Sequence, residues 1–222
     1  MIKLLGRGNA FSEENTSAYF IKDEILFLFD CGETVFKALK KLNLFDNIKG
    51  VRIFLTHLHS DHSGSIGTVL FYLAARNIPK DNVYVFFPDK EQLYTLLKIF
   101  DVHDLCNYMT DEDLKNLNIS YYKQKHYRIF SYGYLIKSEN TTIYFSGDTE
   151  EIPATILTML LNDQIDMLYI DTCFDINSEY HISYKKIKEL IPSEYRKKVT
   201  CVHLKDGYNK ELISDFNNTE EI

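Results

Sequence analysis

The sequence predicts a mixed α/β (α+β) fold, a layered sandwich of sheet and helix. Two patterns point to it. In the first half of the chain, short apolar runs of strand character alternate with amphipathic runs of helical spacing. Three strand-like runs then follow one another in the middle before the alternation resumes. A third observation sets the scale. The chain has 222 residues, 45% hydrophobic and 26% charged, which is a globular rather than a disordered balance. A chain of that length buries roughly 70% of its unfolded surface, enough for a substantial core.

Residues 2–5, 17–21 and 24–29 read as opening strands. Residues 34–42 have helical spacing, with Val35, Leu39 and Leu42 on one face. Residues 51–55 form a short apolar strand that ends in a polar, histidine-rich loop. A buried helix follows at 65–76, a strand at 83–87 and a helix at 91–99. Residues 119–124, 127–137 and 141–145 read as consecutive strands joined by tight turns. Residues 153–161 form a helix with Pro153 in its first turn. A strand at 167–170, a helix at 183–190 and a strand at 199–202 complete the pattern. There is no internal repeat, low-complexity tract or Pro/Gly-rich linker, so residues 1–222 read as a single domain. Its site is expected in the loops at strand ends.

Composition narrows the function classes. Lys+Arg 25 against Asp+Glu 32 gives a formal net charge of −7. Broad nucleic-acid binding needs a basic surface, so nucleic acid is not the favoured partner, although a local basic patch stays open. Apolar stretches such as 66–75 fall short of the ~20 residues that a helix needs to cross a bilayer, so no membrane role is expected. Met1 to Leu5 is followed at once by Gly6, Arg7 and Gly8, which is no secretion signal, and a cytoplasmic protein is expected. Cys31, Cys106, Cys173 and Cys201 include no C-x-x-C pair and read as reduced, mostly buried thiols.

The chemistry lies in the histidines. His57, His59 and His62 fall within the run Thr56-His57-Leu58-His59-Ser60-Asp61-His62-Ser63-Gly64, directly after a strand. In an extended segment, side chains two apart point the same way, so His57 and His59 can grip one cation. Asp61 and His62 follow as the chain turns into a helix and face a second point nearby. Imidazole with carboxylate suits zinc, and also manganese or iron. A two-metal site needs further ligands, and the candidates sit at the polar ends of strands. Asp148, in Phe145-Ser146-Gly147-Asp148, can bridge two cations; its bland reading is a turn aspartate. His203 ends a strand, and His126 lies between two; their bland readings are a satisfied loop histidine and a surface-strand histidine. His103 follows a helix without a strand lead-in and reads as surface or capping.

In this order, Asp30, the His57 to His62 cluster, His126, Asp148 and His203 resemble the motifs of the metallo-β-lactamase superfamily, from Gly6 to about Gly207. The resemblance implies a four-layer αββα sandwich with a two-metal site at one edge. It places His57, His59 and His126 on the first metal, Asp61, His62 and His203 on the second, and Asp148 on both. Asp30 would orient a ligand from behind. Within the superfamily the chain is most similar to the ribonuclease Z group. The stretches that carry this are Asp30-Cys31-Gly32-Glu33, Ser131-Tyr132-Gly133-Tyr134, and Leu168 to Phe174 with His181-Ile182-Ser183 downstream. By that likeness His181 donates a proton and Asp171 orients it. Two departures stand out. Asp171 occupies a position where the group usually has Glu, and the stretch between His62 and His126 is too short for the arm that grips transfer RNA.

These readings together imply a metal-dependent hydrolase. A pair of cations ~3.5–4 Å apart makes hydroxide available near neutral pH, and that hydroxide attacks phosphorus. Asp61, His181 and Asp171 are the expected catalytic residues, with two divalent ions, zinc first, as the cofactor. The expected substrate is a small-molecule phosphodiester: a nucleotide, cyclic ones included, or an RNA end. Lys123, Lys125 and Arg128 can attract a phosphate or simply solvate a strand, and Tyr132 or Tyr134 can stack on a base or pack in the core. The alternative is an acyl or thioester hydrolase of the glyoxalase II or β-lactamase type, in which the His181 region is irrelevant. A third reading gives the metals a structural or redox role. A bare core can also complete its pocket with a second subunit, as a homodimer.

Overall fold

The structure, a computed structural model, describes residues 2–217. The chain forms two compact units. One holds Glu13–Asp113 and the strand before it; the other holds Arg7–Ser12 and the chain from Leu114 onward.

The first unit is built on a six-stranded sheet whose strands lie in chain order. β1 (Lys3–Gly6), β2 (Ser17–Lys22) and β3 (Ile25–Phe29) pair antiparallel. β3, β4 (Gly50–Phe54), β5 (Val83–Phe86) and β6 (Asn107–Tyr108) pair parallel. β3 reads Ile-Leu-Phe-Leu-Phe and is buried from Leu26 to Phe29, the unbroken apolar run of a strand covered on both faces. The crossovers are helices: α1 (Val35–Lys41), α2 (Ser60–Ser63) with α3 (Ile66–Ala75), and α4 (Lys90–Ile99). α3 buries Ile66, Val69, Leu70 and Leu73, one face at helical period. α4 starts where Asp89 accepts a hydrogen bond from the Gln92 amide. In such a sheet, binding loops sit beyond the carboxyl ends of the parallel strands, and that is where Asp30 and the 56–62 segment lie.

The chain passes from the first unit to the second within α5 (Asp111–Asn116). The second unit's five-stranded sheet has the order β11-β10-β9-β8-β7. β7 (Ile119–His126), β8 (Ile129–Lys137) and β9 (Thr142–Phe145) form an antiparallel meander. β10 (Met167–Asp171) and β11 (Val199–Val202) continue parallel to β9. α6 (Ala154–Leu161) and α7 (Tyr184–Leu190) pack Ile156, Leu160 and Ile187 against Leu168, Ile170 and Val199.

The mixed α/β class with two sheets is as expected. Boundaries differ in detail. The strand expected at 119–124 runs on to His126, because Lys125 and His126 still pair with Phe130 and Ile129. Pro153 is the N-cap of α6 rather than part of its first turn. β6 and α5 had no counterpart, since neither is long enough to show a period. Among the described residues no helix is long and apolar enough to cross a membrane.

Candidate metal centre

In the first unit, the site begins with Asp30, fully buried one residue past β3 in a left-handed conformation (φ 64°). That rarely populated geometry turns its carboxylate toward the end of β4. Oδ1 accepts the Thr56 amide at 2.7 Å, and Oδ2 accepts the Thr56 hydroxyl at 2.9 Å. Oδ2 also lies 2.7 Å from His62 Nδ1. A carboxylate there fixes the proton on Nδ1 and puts the His62 lone pair on Nε2. The Thr56 hydroxyl, donating to Asp30, accepts from His57 Nδ1 at 3.1 Å, which sets the same tautomer in His57. One aspartate thus orients two imidazoles. Burial pushes the Asp30 carboxyl up, while His62 and Thr56 pull it the other way.

The forward-facing atoms come in pairs. His57 Nε2 is 3.0 Å from His59 Nδ1, and His62 Nε2 is 3.2 Å from Asp61 Oδ2. Two nitrogens bound to one tetrahedral ion at ~2.0–2.1 Å stand roughly 3.3 Å apart. The donor set and its spacing therefore fit a divalent metal. The loop is packed to hold this shape. A Cβ at Gly32 would lie 1.8 Å from the Asp61 carbonyl oxygen, so only glycine admits the approach. The Cys31 amide donates to the His62 carbonyl at 2.7 Å, and burial pushes the Cys31 thiol up to about 12.

The second unit brings its candidates together at strand ends. His126 is the last residue of β7, Asp148 follows β9 through Gly147 (φ 62°), Asp171 ends β10, and His203 follows β11 (φ 60°). Asp148 Oδ2 lies 3.5 Å from His126 Nε2 and 3.4 Å from His203 Nε2. One carboxylate oxygen beside two imidazole nitrogens is a donor set that suits a divalent cation. His126 Nδ1 donates to the Tyr180 carbonyl at 3.0 Å, which directs its lone pair to Nε2. Asp148, Asp171, His181 and His203 offer ligand atoms all within 4.8 Å of one another.

His181 Nδ1 is 2.8 Å from Asp171 Oδ2, which also accepts the Thr149 amide at 2.8 Å. The shorter Asp side chain therefore reaches the histidine. Burial lowers the His181 pKa, but the Asp171 charge and hydrogen bond, with Asp148 behind them, outweigh it and leave it raised. His181 also lines two cavities, of about 370 Å³ beside Lys185 and Lys186 and about 180 Å³ beside Phe174 and Lys205.

Of the two readings given for Tyr132 and Tyr134, packing is the one observed. Tyr134 is wholly buried and Tyr132 packs edge-on against Tyr121, so both rings are packing residues. Lys123 and Arg128 lie over the rings of Phe130 and Tyr127. His103 packs edge-on against Tyr94. Thr56 and the Tyr180 carbonyl, which set three of the imidazoles with Asp30, were not expected.

Residues 1–219 match the family model described as anti-Pycsar protein Apyc1. The chain belongs to that family. Anti-Pycsar protein Apyc1 of Paenibacillus harenae is 25% identical over 223 residues, covering 92% of this chain and 90% of that protein. Ribonuclease Z of Treponema denticola is 34% identical over 91 residues, 40% of this chain and 29% of that protein. The crystal structure of the metallo-β-lactamase fold protein YhfI from Bacillus subtilis superposes with a TM-score of 0.73 at 15% identity, covering 98% of this chain and 91% of that one. The fold is the metallo-β-lactamase fold, as expected. This member of the anti-Pycsar family is a metal-dependent phosphodiesterase.

Proposed function

We propose that this chain opens the phosphodiester of a cyclic nucleotide, in the cytoplasm, with two zinc ions. The observation that carries the reading is the Asp148 carboxylate beside His126 and His203, with the His181–Asp171 pair next to it. In the first unit His57, His59, Asp61 and His62 would hold metal, and in the second His126, Asp148 and His203 would. When bound, the ions supply a Lewis acid for the phosphate and a water nucleophile at neutral pH. The rest falls to the chain. Water adds across one P–O bond: its hydroxyl goes to phosphorus, and the departing ribose oxygen takes a proton. His181 delivers that proton from Nε2, because Nδ1 is committed to Asp171. Asp171 holds the ring in place and favours its protonated form.

Family membership, an acidic chain and the short 62–126 stretch favour a small cyclic nucleotide over transfer RNA. Four cysteines free of disulfides agree with a reducing compartment. The test is metal-loaded protein on a panel of cyclic nucleotides, a generic phosphodiester, a thioester and a lactam. Linear nucleoside monophosphates are expected from the cyclic nucleotides. A panel in which only the thioester or the lactam turns over would sink the proposal.

A further inference from the structure

Three side chains of the second unit are buried and polar and are not among the expected site residues. Tyr144 on β9 is fully buried, Gln124 on β7 is 4% exposed, and Ser146 is fully buried just past β9. They form one line. The Tyr144 hydroxyl donates to Gln124 Oε1 at 3.0 Å, and Gln124 Nε2 donates to the Ser146 carbonyl at 2.5 Å. Ser146 Oγ in turn accepts the Asp171 amide at 2.9 Å. The direction is set, since a flipped Gln124 amide would put oxygen against the Ser146 carbonyl. Gln124 lies two residues before His126 on the same strand, hence on the same face.

The line also shapes a third strand. A Cβ at Gly133 on β8 would lie 2.0 Å from the Tyr144 hydroxyl oxygen, so glycine leaves the space that the hydroxyl fills. Burial holds the Tyr144 phenol well above its usual range, a permanent neutral donor. Buried polar groups are costly unless fully satisfied, and here both ends of the Gln124 amide are satisfied. The far end of the line is the backbone two residues before Asp148.

We infer that Tyr144 and Gln124 are positioning residues: a buried strut that fixes the Ser146 carbonyl and thereby aims the Asp148 carboxylate at metal. The inference rests on Asp148 being a metal ligand. Residues behind a ligand typically carry 10–100-fold of metal affinity.

Tyr144→Phe removes one oxygen and keeps the ring. Gln124→Asn keeps the amide but falls one methylene short of spanning from Tyr144 to Ser146. Zinc affinity is measured on the purified protein by competition with a chromophoric chelator, alongside melting of the metal-free form. Both variants are expected to bind zinc about 10–100-fold more weakly. Tyr144→Phe combined with Gln124→Met removes the half-satisfied side-chain amide and leaves only the Ser146 carbonyl without its donor, so melting recovers in part while affinity stays low. Leu160→Ala, a cavity in the same core, lowers the melting temperature and leaves affinity unchanged. Wild-type affinity in Tyr144→Phe or Gln124→Asn, affinity restored with stability in the double variant, or an equal loss in Leu160→Ala would each overturn the strut and leave the metal centre standing. A wild-type chain that takes up no divalent ion would overturn both.

Discussion

Asp30 binds no substrate and yet governs two histidines, because its Oδ2 meets both the Thr56 hydroxyl and His62 Nδ1. Asp30→Asn keeps the volume but offers an NH₂ where a donor now points. The chain is expected to lose about 10–100-fold in metal affinity with little change in helix content, read by chelator competition and circular dichroism. His181 makes the opposite prediction. His181→Ala should retain its metal and lose roughly 10²–10⁴-fold in kcat on a cyclic nucleotide, the worth of a positioned general acid. Full activity in that variant would favour the acyl or thioester reading. The sign of the pH dependence follows from the raised His181 pKa. The protonated, donating form persists above the ordinary histidine value of 6.5, so kcat should fall on an alkaline limb above that value. A limb below it, or one unchanged in His181→Ala, would contradict the assignment. The histidine cluster was legible because three imidazoles at that spacing after a strand have few other uses. Thr56 and the Tyr180 carbonyl were not, since a threonine is commonplace and a backbone carbonyl leaves no mark in a sequence.

Elements were legible where they were long or strongly apolar. β3 and α3 show their periods openly, whereas β6 and α5 are too short to show one. The end of β7 was misplaced because Lys125 and His126 look like turn residues, and only their pairing with β8 keeps them in the strand. That pairing matters, since it holds His126 rigidly beside Tyr180. Two glycine-and-cap positions separate elements that serve the site from those that serve stability. At Gly32→Ala the new methyl meets the Asp61 carbonyl at 1.8 Å, so the 56–62 segment must move. Metal binding and stability should both fall steeply, read by zinc titration and urea unfolding. Asp89→Ala removes only the N-cap of α4. It should cost about 1 kcal/mol in urea unfolding and leave zinc affinity at its wild-type value.

Across the whole molecule, the proposed metal ligands are buried, except the half-buried His59. His57, Asp61 and His62 in the first unit, and His126, Asp148 and His203 in the second, are all buried, and His57 and His62 show no exposed surface. Burial strips water from these donors, and a bound divalent ion would offset that loss. The unfolded chain scatters the same donors and binds weakly, so metal acts as a ligand of the native state. Linkage then sets the size of the effect. An ion present at a thousandfold above its Kd stabilises the fold by about 4 kcal/mol. For a chain of 222 residues each kcal/mol moves the melting temperature by about 2–4 °C. Stripping the ions with a chelator should therefore lower the melting temperature by about 8–16 °C for each ion lost, and zinc restored in slight excess should return it. The same titration carried out on Asp30→Asn should need more zinc to reach the same melting temperature, because the weakened site must be driven harder. A chelated wild-type protein that melts where the loaded one does would show that these buried imidazoles and carboxylates are satisfied without metal.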